Sequence, residues 1–333
     1  MSTLKELLIK KSNDYSYLEN LFNEKSKIEL LSDKNYKLTL FKNGISIIIP
    51  SYNSNKTLSF TLKSIIKNIV NIPKNLIELI IVDDGSKYSL DKIIKPYLSL
   101  CNIKLIKNYN NLGSAESRWE GVKIATKENI LFLDSDIVIT NNFILNHLCV
   151  HNILPNKILL VSFLESITIE DKRLNIENLE NSLIDFKNKD FRFATVIRDK
   201  YNTPIKEIGK SYHLIEQSDY FKNFGNFKKI GLWRLSMMGL IGCMSVSRKI
   251  LLESQNNYNK FKGWGWDDTL VTSYLLAYGL YLVPNLNSPV LQIKHPFRSG
   301  NIEDKKKQFL ENKIIYNNLL NKEYSSNKIK NLF

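Results

Sequence analysis

The stretch Ile45-Ser46-Ile47-Ile48-Ile49-Pro50-Ser51-Tyr52-Asn53 decides the fold. An uncharged, isoleucine-rich run closed by a proline has the composition of a buried strand. Working outward, Leu58, Leu62, Ile65, Ile66 and Ile69 recur at helical spacing behind the capping candidates Ser54 and Asn55, and the helix stops before Pro73. Residues 76–82 read as a second strand, 89–100 as a helix with Pro96 as a kink, and 103–107 as a third strand. A helix over 114–126 puts Ala115, Trp119, Val122 and Ala125 on one side, and a strand over 130–133 follows. Short buried strands alternating with amphipathic helices imply an α/β fold: a doubly wound, mostly parallel sheet with helices on both faces. In such sheets ligands bind beyond the carboxyl ends of the strands.

Further out the pattern loosens. Residues 1–42 are rich in Lys, Glu and Asn with leucines at loosely helical spacing, which predicts a helical preface. Strands are expected at 158–164 and 240–246, and 302–333 reads as a charged helical tail. With 333 residues, 43% hydrophobic and 24% charged, the chain can bury a sizeable core and is too apolar for disorder. A net charge of +14 favours partners bearing phosphate or carboxylate, without choosing among nucleic acid, an anionic membrane surface and a phosphorylated small molecule. Cys101, Cys149 and Cys243 are odd in number and widely spaced, which argues against a disulfide scaffold or zinc ribbon and fits a reducing compartment. The N-terminus has no apolar signal-type run, and the most apolar window, 270–284, is too short to span a bilayer. A cytoplasmic protein is expected, its charge compatible with peripheral contact at the inner membrane surface.

Three polar clusters fall where a parallel sheet places its ligand: Pro50-Ser51-Tyr52-Asn53, Asp83-Asp84-Gly85-Ser86 and Asp134-Ser135-Asp136, each directly after a strand. Two carboxylates two residues apart at a strand end can share one divalent cation and through it a diphosphate. Singly, Asp-Gly-Ser is an ordinary turn and Asp-x-Asp an ordinary solvated loop; three such clusters after three strands are not. Neither a G-x-G-x-x-G after the first strand nor a G-x-x-x-x-G-K-[ST] occurs, so a nucleotide has to be held by side chains and a metal.

The segments IIIPSYN, LIIVDDGS, NNLGSAESRWEG and ILFLDSD, in this order, resemble the nucleotide-sugar-binding half of the family 2 glycosyltransferases of GT-A fold, over about residues 45–136. A fourth cluster runs from Leu240 through Ser245 and Ser247-Arg248-Lys249 to Gly263-Trp264-Gly265-Trp266-Asp267-Asp268. It resembles the acceptor-side segment of galactosyltransferase-like GT-A enzymes, with its Trp-Gly-Gly-Glu-Asp type signature; here Trp266 replaces the second glycine and Asp267 the Glu. Lys294-His295-Pro296-Phe297-Arg298 is similar to the terminal His-x-x-Arg segment that supplies a third metal ligand in some relatives.

The resemblance implies a UDP-sugar-dependent hexosyltransferase of glycan biosynthesis, divided into a helical extension (1–42), a nucleotide-sugar-binding half (43–140), an acceptor-binding half (141–300) and a helical tail (301–333). Its donor site is expected to use Pro50, Tyr52 and Asp84, with Tyr52 and Asp84 at the nucleoside. Asp134-Ser135-Asp136 is its DXD motif, with Asp134 at the ribose or positioning the loop, and Asp136 with His295 holds Mn²⁺ or Mg²⁺. Arg118 is expected to project toward the diphosphate or donor sugar, Trp264 or Trp266 to stack on a sugar face, Asp268 to act as base and Asp267 to orient the acceptor. The partners implied are a UDP-sugar donor and a glycan, glycolipid or peptide acceptor, with no nucleic acid. Inversion follows from a base at Asp268, while the His-x-x-Arg likeness keeps retention open. The acceptor wall is expected in the Lys-, Arg- and aromatic-rich stretch 165–234.

Plainer roles fit the same residues. Asp267 and Asp268 stand where a helix N-terminus favours carboxylates, the tryptophans suit a core, His295 suits a place beside a strand, Arg118 suits a helix surface, and His147, His151 and His213 have no ligand-like setting. Two other functions remain: a nucleotidyltransferase or nucleotide-sugar pyrophosphorylase, which wants a glycine-rich basic loop after the first strand, and a basic nucleic-acid-binding protein, which wants its cations clustered along one groove.

Overall fold

The structure, a computed structural model, describes residues 2–10, 41–154, 158–175, 194–198, 204–210, 238–254, 263–295 and 301–324, with isolated positions between them. Most of the expected acceptor stretch 165–234, His213 and Arg298 lie outside the described residues, as do most of 11–40 and all of 325–333.

Eight strands form the central sheet: β1 (Ile45–Ser51), β2 (Ile77–Asp83), β3 (Ile103–Lys107), β4 (Asn129–Leu133), β5 (Ile137–Ile139), β6 (Ile158–Ile167), β7 (Cys243–Ser247) and β8 (Tyr281–Ile293). The helices are α1 (Leu4–Lys10), α2 (Asn55–Ile69), α3 (Ser114–Ile124), α4 (Phe143–Ile153), α5 (Arg248–Glu253), α6 (Asp267–Ala277) and α7 (Ile302–Leu320). Strand order across the sheet is β3-β2-β1-β4-β7-β6-β8-β5. The four strands from β3 to β4 are mutually parallel, as are β6 and β8, whereas β7 runs antiparallel between β4 and β6.

Alternation along each strand divides the core into two layers. Ile48, Ile80, Val82 and Phe132 pack with Ala115 and Val122 of α3 on one face. Ile47, Ile49, Leu79, Ile81 and Leu131 pack with Leu58, Leu62 and Ile65 of α2 on the other. The isoleucine run is uncharged because it is covered on both faces, and all of β1 is buried. Register aligns the ends that matter: Ser51 lies opposite Asp83, and Asp83 opposite Lys107. The carboxyl ends of β1 and β2 therefore open on one rim, with β4 delivering Asp134 to it.

Local differences from the sequence reading have local causes. The helix expected over 89–100 is a single turn, Asp91–Ile94, followed by a 3-10 turn, Lys95–Tyr97; Pro96 lacks the N–H that would continue it. The helix expected over 114–126 ends at Ile124, because Thr126 donates its N–H and hydroxyl to the buried Glu78 instead. The strand expected at 240–246 begins at Cys243 and that at 158–164 extends to Ile167. The three cysteines are buried and form no disulfide with one another. Among the described residues no helix is long and apolar enough to cross a membrane.

Two histidines of α4 are sealed against the sheet. His147 bonds Ser245 through Nδ1 (2.7 Å) and Ser162 through Nε2 (3.0 Å), and His151 Nε2 bonds Ser245 (2.7 Å). Burial disfavours their charged forms, holding His147 well below its ordinary value and His151 down at about 4. The unfolded chain binds protons near pH 6.5 and the folded one does not, so this contribution is intact above that pH and is lost as pH falls toward the folded values. Thermal melts should therefore show stability falling between pH 7 and 4, by about 3 kcal/mol through His151 alone. A His151→Phe variant should show a flatter pH slope; an unchanged slope would count against the assignment.

Candidate active site

The rim is built from backbone turns first. Asn53 follows β1 in a left-handed conformation (φ 49°), donates its N–H to Ser86 Oγ (2.9 Å) and accepts the Lys87 N–H on Oδ1 (2.9 Å), which ties the first polar cluster to the second. Pro50 is buried within β1 and Tyr52 is half-buried just beyond it. Asp84 is almost fully buried: Oδ1 accepts the Leu112 N–H (2.9 Å) and the Asn108 amide (3.2 Å), and Oδ2 accepts the Gly113 N–H (2.9 Å). Its carboxylate shapes the loop that leads into α3.

That loop aims Arg118 inward. Only 5% of its side chain is exposed; NH2 meets Asp134 Oδ1 at 2.7 Å, and NH1 meets Asp267 Oδ2 at 3.3 Å and Asp268 Oδ1 at 3.8 Å. Its guanidinium is engaged by three carboxylates of the protein itself. Burial opposes its charge, and Asp134, Asp268 and Asp267 outweigh that and hold it protonated. The carboxylates respond in the other direction. Burial raises Asp267, and burial together with repulsion from Asp267 pushes Asp268 up to about 8, against the pull of Arg118.

Asp134 and Asp136 point to different partners. Asp134 donates its N–H to the Gly242 carbonyl (3.0 Å), and its carboxylate lies so close to Gly242 that a Cβ there would overlap it. The antiparallel course of β7 brings Gly242 to this rim. Asp136 faces β8: His295 Nε2 is 3.1 Å from Oδ2 and the Gln292 amide 3.5 Å, while Oδ1 is buried with no hydrogen-bond partner among the described residues. Ser135 between them is buried. A hard divalent cation fits this donor set, one carboxylate oxygen left unbonded beside an imidazole nitrogen. Among the described residues no group of three or more His, Cys, Asp or Glu side chains that could hold a metal ion is present.

Trp264 is 47% exposed, with Lys305 Nζ 4.0 Å from its ring centroid. Trp266 is half-buried, and its ring packs on Phe309 and Tyr316 of α7, with centroids 5.5 and 5.1 Å away. Asp267 and Asp268 form the first turn of α6, so the dipole favours them there as well. Sequence reasoning missed Gly242, Gln292 and the α7 contacts. A glycine directly ahead of a strand was the only signal for the first; nothing in the sequence marks the others.

This architecture defines a class, the GT-A fold. Residues 46–165 match the family described as Glycosyl transferase family 2. The chain is 24% identical over 253 residues to chondroitin synthase of Escherichia coli, which covers 73% of this chain and 33% of that protein. It superposes on S. aureus TarS 1-349 in complex with UDP-GlcNAc with a TM-score of 0.54 at 17% identity, covering 86% of this chain and 69% of that one. It superposes on GalNAc-T7 with UDP, GalNAc and Mn²⁺ with a TM-score of 0.56 at 17% identity, covering 82% and 47%. The chain thus spans about a third of the length of the first of these relatives.

Replacing Arg118 with Met should cost about 3 kcal/mol of stability, the lower end for breaking a buried ion pair because Asp134 and Asp268 keep partial solvent access. Three unpaired carboxylates remain in that variant, so the deficit measured by chemical denaturation should shrink at acidic pH. A deficit independent of pH would mean the charges are not what Arg118 stabilises.

Proposed function

We propose that the protein transfers a hexose from a UDP-sugar to a hydroxyl of a glycan, glycolipid or peptide acceptor, and that Asp268 is the base of an inverting reaction. The observation that carries this reading is the convergence of Asp134, Asp267 and Asp268 on one buried arginine at the rim where β1, β2 and β4 end. A donor held on that rim by Pro50, Tyr52, Asp84, Asp134 and Ser135 presents its anomeric carbon toward the first turn of α6. The acceptor hydroxyl gives its proton to an Asp268 carboxylate oxygen and attacks the anomeric carbon; the bond from that carbon to the diphosphate oxygen breaks, and UDP departs with the electron pair. Asp267 orients the acceptor, and Arg118 holds both carboxylates in place. Mn²⁺ or Mg²⁺ bound by Asp136 and His295 would supply positive charge for the departing diphosphate. Trp264 offers an exposed ring for stacking on a sugar.

The named relatives support the donor class: the TarS structure carries UDP-GlcNAc, and GalNAc-T7 carries UDP, GalNAc and Mn²⁺. A cytoplasmic location, with contact at the inner membrane surface through the chain's positive charge, belongs to the same proposal. The absence of a glycine-rich basic loop after β1 weighs against a nucleotidyltransferase.

The deciding experiment incubates the chain with a panel of UDP-sugars, with and without Mn²⁺ or Mg²⁺, and measures UDP release. Metal-dependent release from at least one sugar supports the reading, and none from any overturns it. Asp136→Asn should abolish release while leaving the melting transition in place; full activity in chelator would remove the metal from the mechanism.

A base must be ionised, so kcat/KM should rise with pH toward a limb near 8. Asp268→Asn should lower turnover by roughly 10²–10⁴-fold with UDP binding preserved by calorimetry. In Asp267→Asn the repulsion on Asp268 is gone, so the limb should move to lower pH. A limb that stays in place would argue against Asp268 as the titrating group.

A further inference from the structure

The loop carrying the two acceptor-side carboxylates has an unusual backbone. Gly263, Gly265 and Trp266 adopt φ values of 70°, 98° and 69°. The left-handed region is open to glycine and unfavourable for a bulky side chain, and Trp266 immediately precedes Asp267. Something outside the loop must hold it, and α7 does so by contacts from successive turns. Gln308 Oε1 accepts the Trp264 N–H (3.2 Å). The Asn312 amide, on a residue only 2% exposed, donates to the carbonyls of both Trp264 and Gly265 (3.2 and 3.0 Å). Phe309 and Tyr316 both pack against the Trp266 ring, and Tyr316 Oη also meets Ser273 Oγ of α6 (3.1 Å). The reverse side of this small core is closed by Leu4 of α1.

We infer that α7 is a latch that positions Asp267 and Asp268, with Trp266 as its keeper: the ring anchored on Phe309 and Tyr316 forces the left-handed turn that aims both carboxylates at Arg118. Gln308, Asn312 and Trp266 are positioning residues, since none is placed at the reacting atoms. The inference rests on the glycosyltransferase reading for what the latch serves, but not for its existence. A backbone preference alone would favour glycine at position 266, whereas a latch favours an aromatic ring there despite φ. The indole N–H has no hydrogen-bond partner among the described residues, so a phenyl ring loses no bond.

The test compares Trp266→Gly, Trp266→Phe and Asn312→Ala in the full chain by three measurements: amide hydrogen exchange across residues 263–270, affinity for UDP with Mn²⁺ by calorimetry, and the rate and pH profile of UDP release from the UDP-sugar the panel identifies. Trp266→Gly and Asn312→Ala should raise exchange in 263–270 with no rise in β1 or β2. They should slow release by roughly 10- to 100-fold, the scale of a misplaced catalytic group, shift its pH limb, and leave UDP affinity unchanged. Trp266→Phe should outperform Trp266→Gly in rate and in protection. The latch is overturned if Trp266→Gly equals or exceeds Trp266→Phe, if exchange in 263–270 is unchanged in both other variants, or if it rises equally across the sheet. Raised local exchange in a chain that releases no UDP from any sugar would uphold the latch and remove the sugar-transfer reading instead.

Discussion

The site depends on a buried cation. Arg118 is the positive charge at which three pieces of chain meet: the loop after β4 through Asp134, the first turn of α6 through Asp267 and Asp268, and α3, which carries it. Each carboxylate alone would be costly to keep ionised in this setting, and each is tolerable because the guanidinium is there. Burial raises the carboxyl pKa of Asp267 and, together with repulsion from Asp267, that of Asp268, and one arginine shared among three carboxylates does not offset this. A carboxyl raised in this way can take and release a proton near neutral pH, the property that the proposed base at Asp268 requires.

Bringing those residues together is the work of sheet topology. The parallel strands β1, β2 and β4 place their polar clusters on one rim, as any doubly wound sheet does. The antiparallel β7 adds what a purely parallel sheet lacks: its beginning, not its end, lies on the rim, so Gly242 reaches Asp134 from the opposite chain direction. β8 then delivers Gln292 and His295 to Asp136. Asp134 and Asp136, two residues apart, thus belong to different networks, one tied to an arginine and the other left with an unbonded oxygen.

The loop of residues 263–266 is stabilised from outside itself. A tryptophan in the left-handed region costs about 1–3 kcal/mol, and burial of its ring against Phe309 and Tyr316 offsets that cost. Helix α7, whose outer surface carries charged residues along with the exposed Leu310 and Ile314, is thereby part of the site's frame. Its sequence looks like a solvated tail because only a few positions, Phe309, Asn312 and Tyr316 among them, face inward.

What the sequence determined by itself was the periodic part. The isoleucine run of β1, the helical spacing of Leu58, Leu62 and Ile65, and polar clusters directly after strands follow from local side-chain geometry, which a linear reading can see. Order and spacing of those clusters were enough to indicate the family and to propose Asp134 and Asp136, while Asp267, Asp268 and His295 were proposed from the later segments that resemble galactosyltransferase-like enzymes. Tertiary structure alone decided how they are connected. The Arg118–Asp267 contact spans 149 positions and the His295–Asp136 contact 159, and no local periodicity encodes a distance of that kind. The same holds for Trp266, legible as a departure from a glycine pattern but explained only by rings on a helix some forty residues away. Strand identity is a property of neighbouring residues; the direction of β7 and the reach of Arg118 are properties of the packed chain, where burying a charge requires its counter-charges to arrive from wherever the topology supplies them.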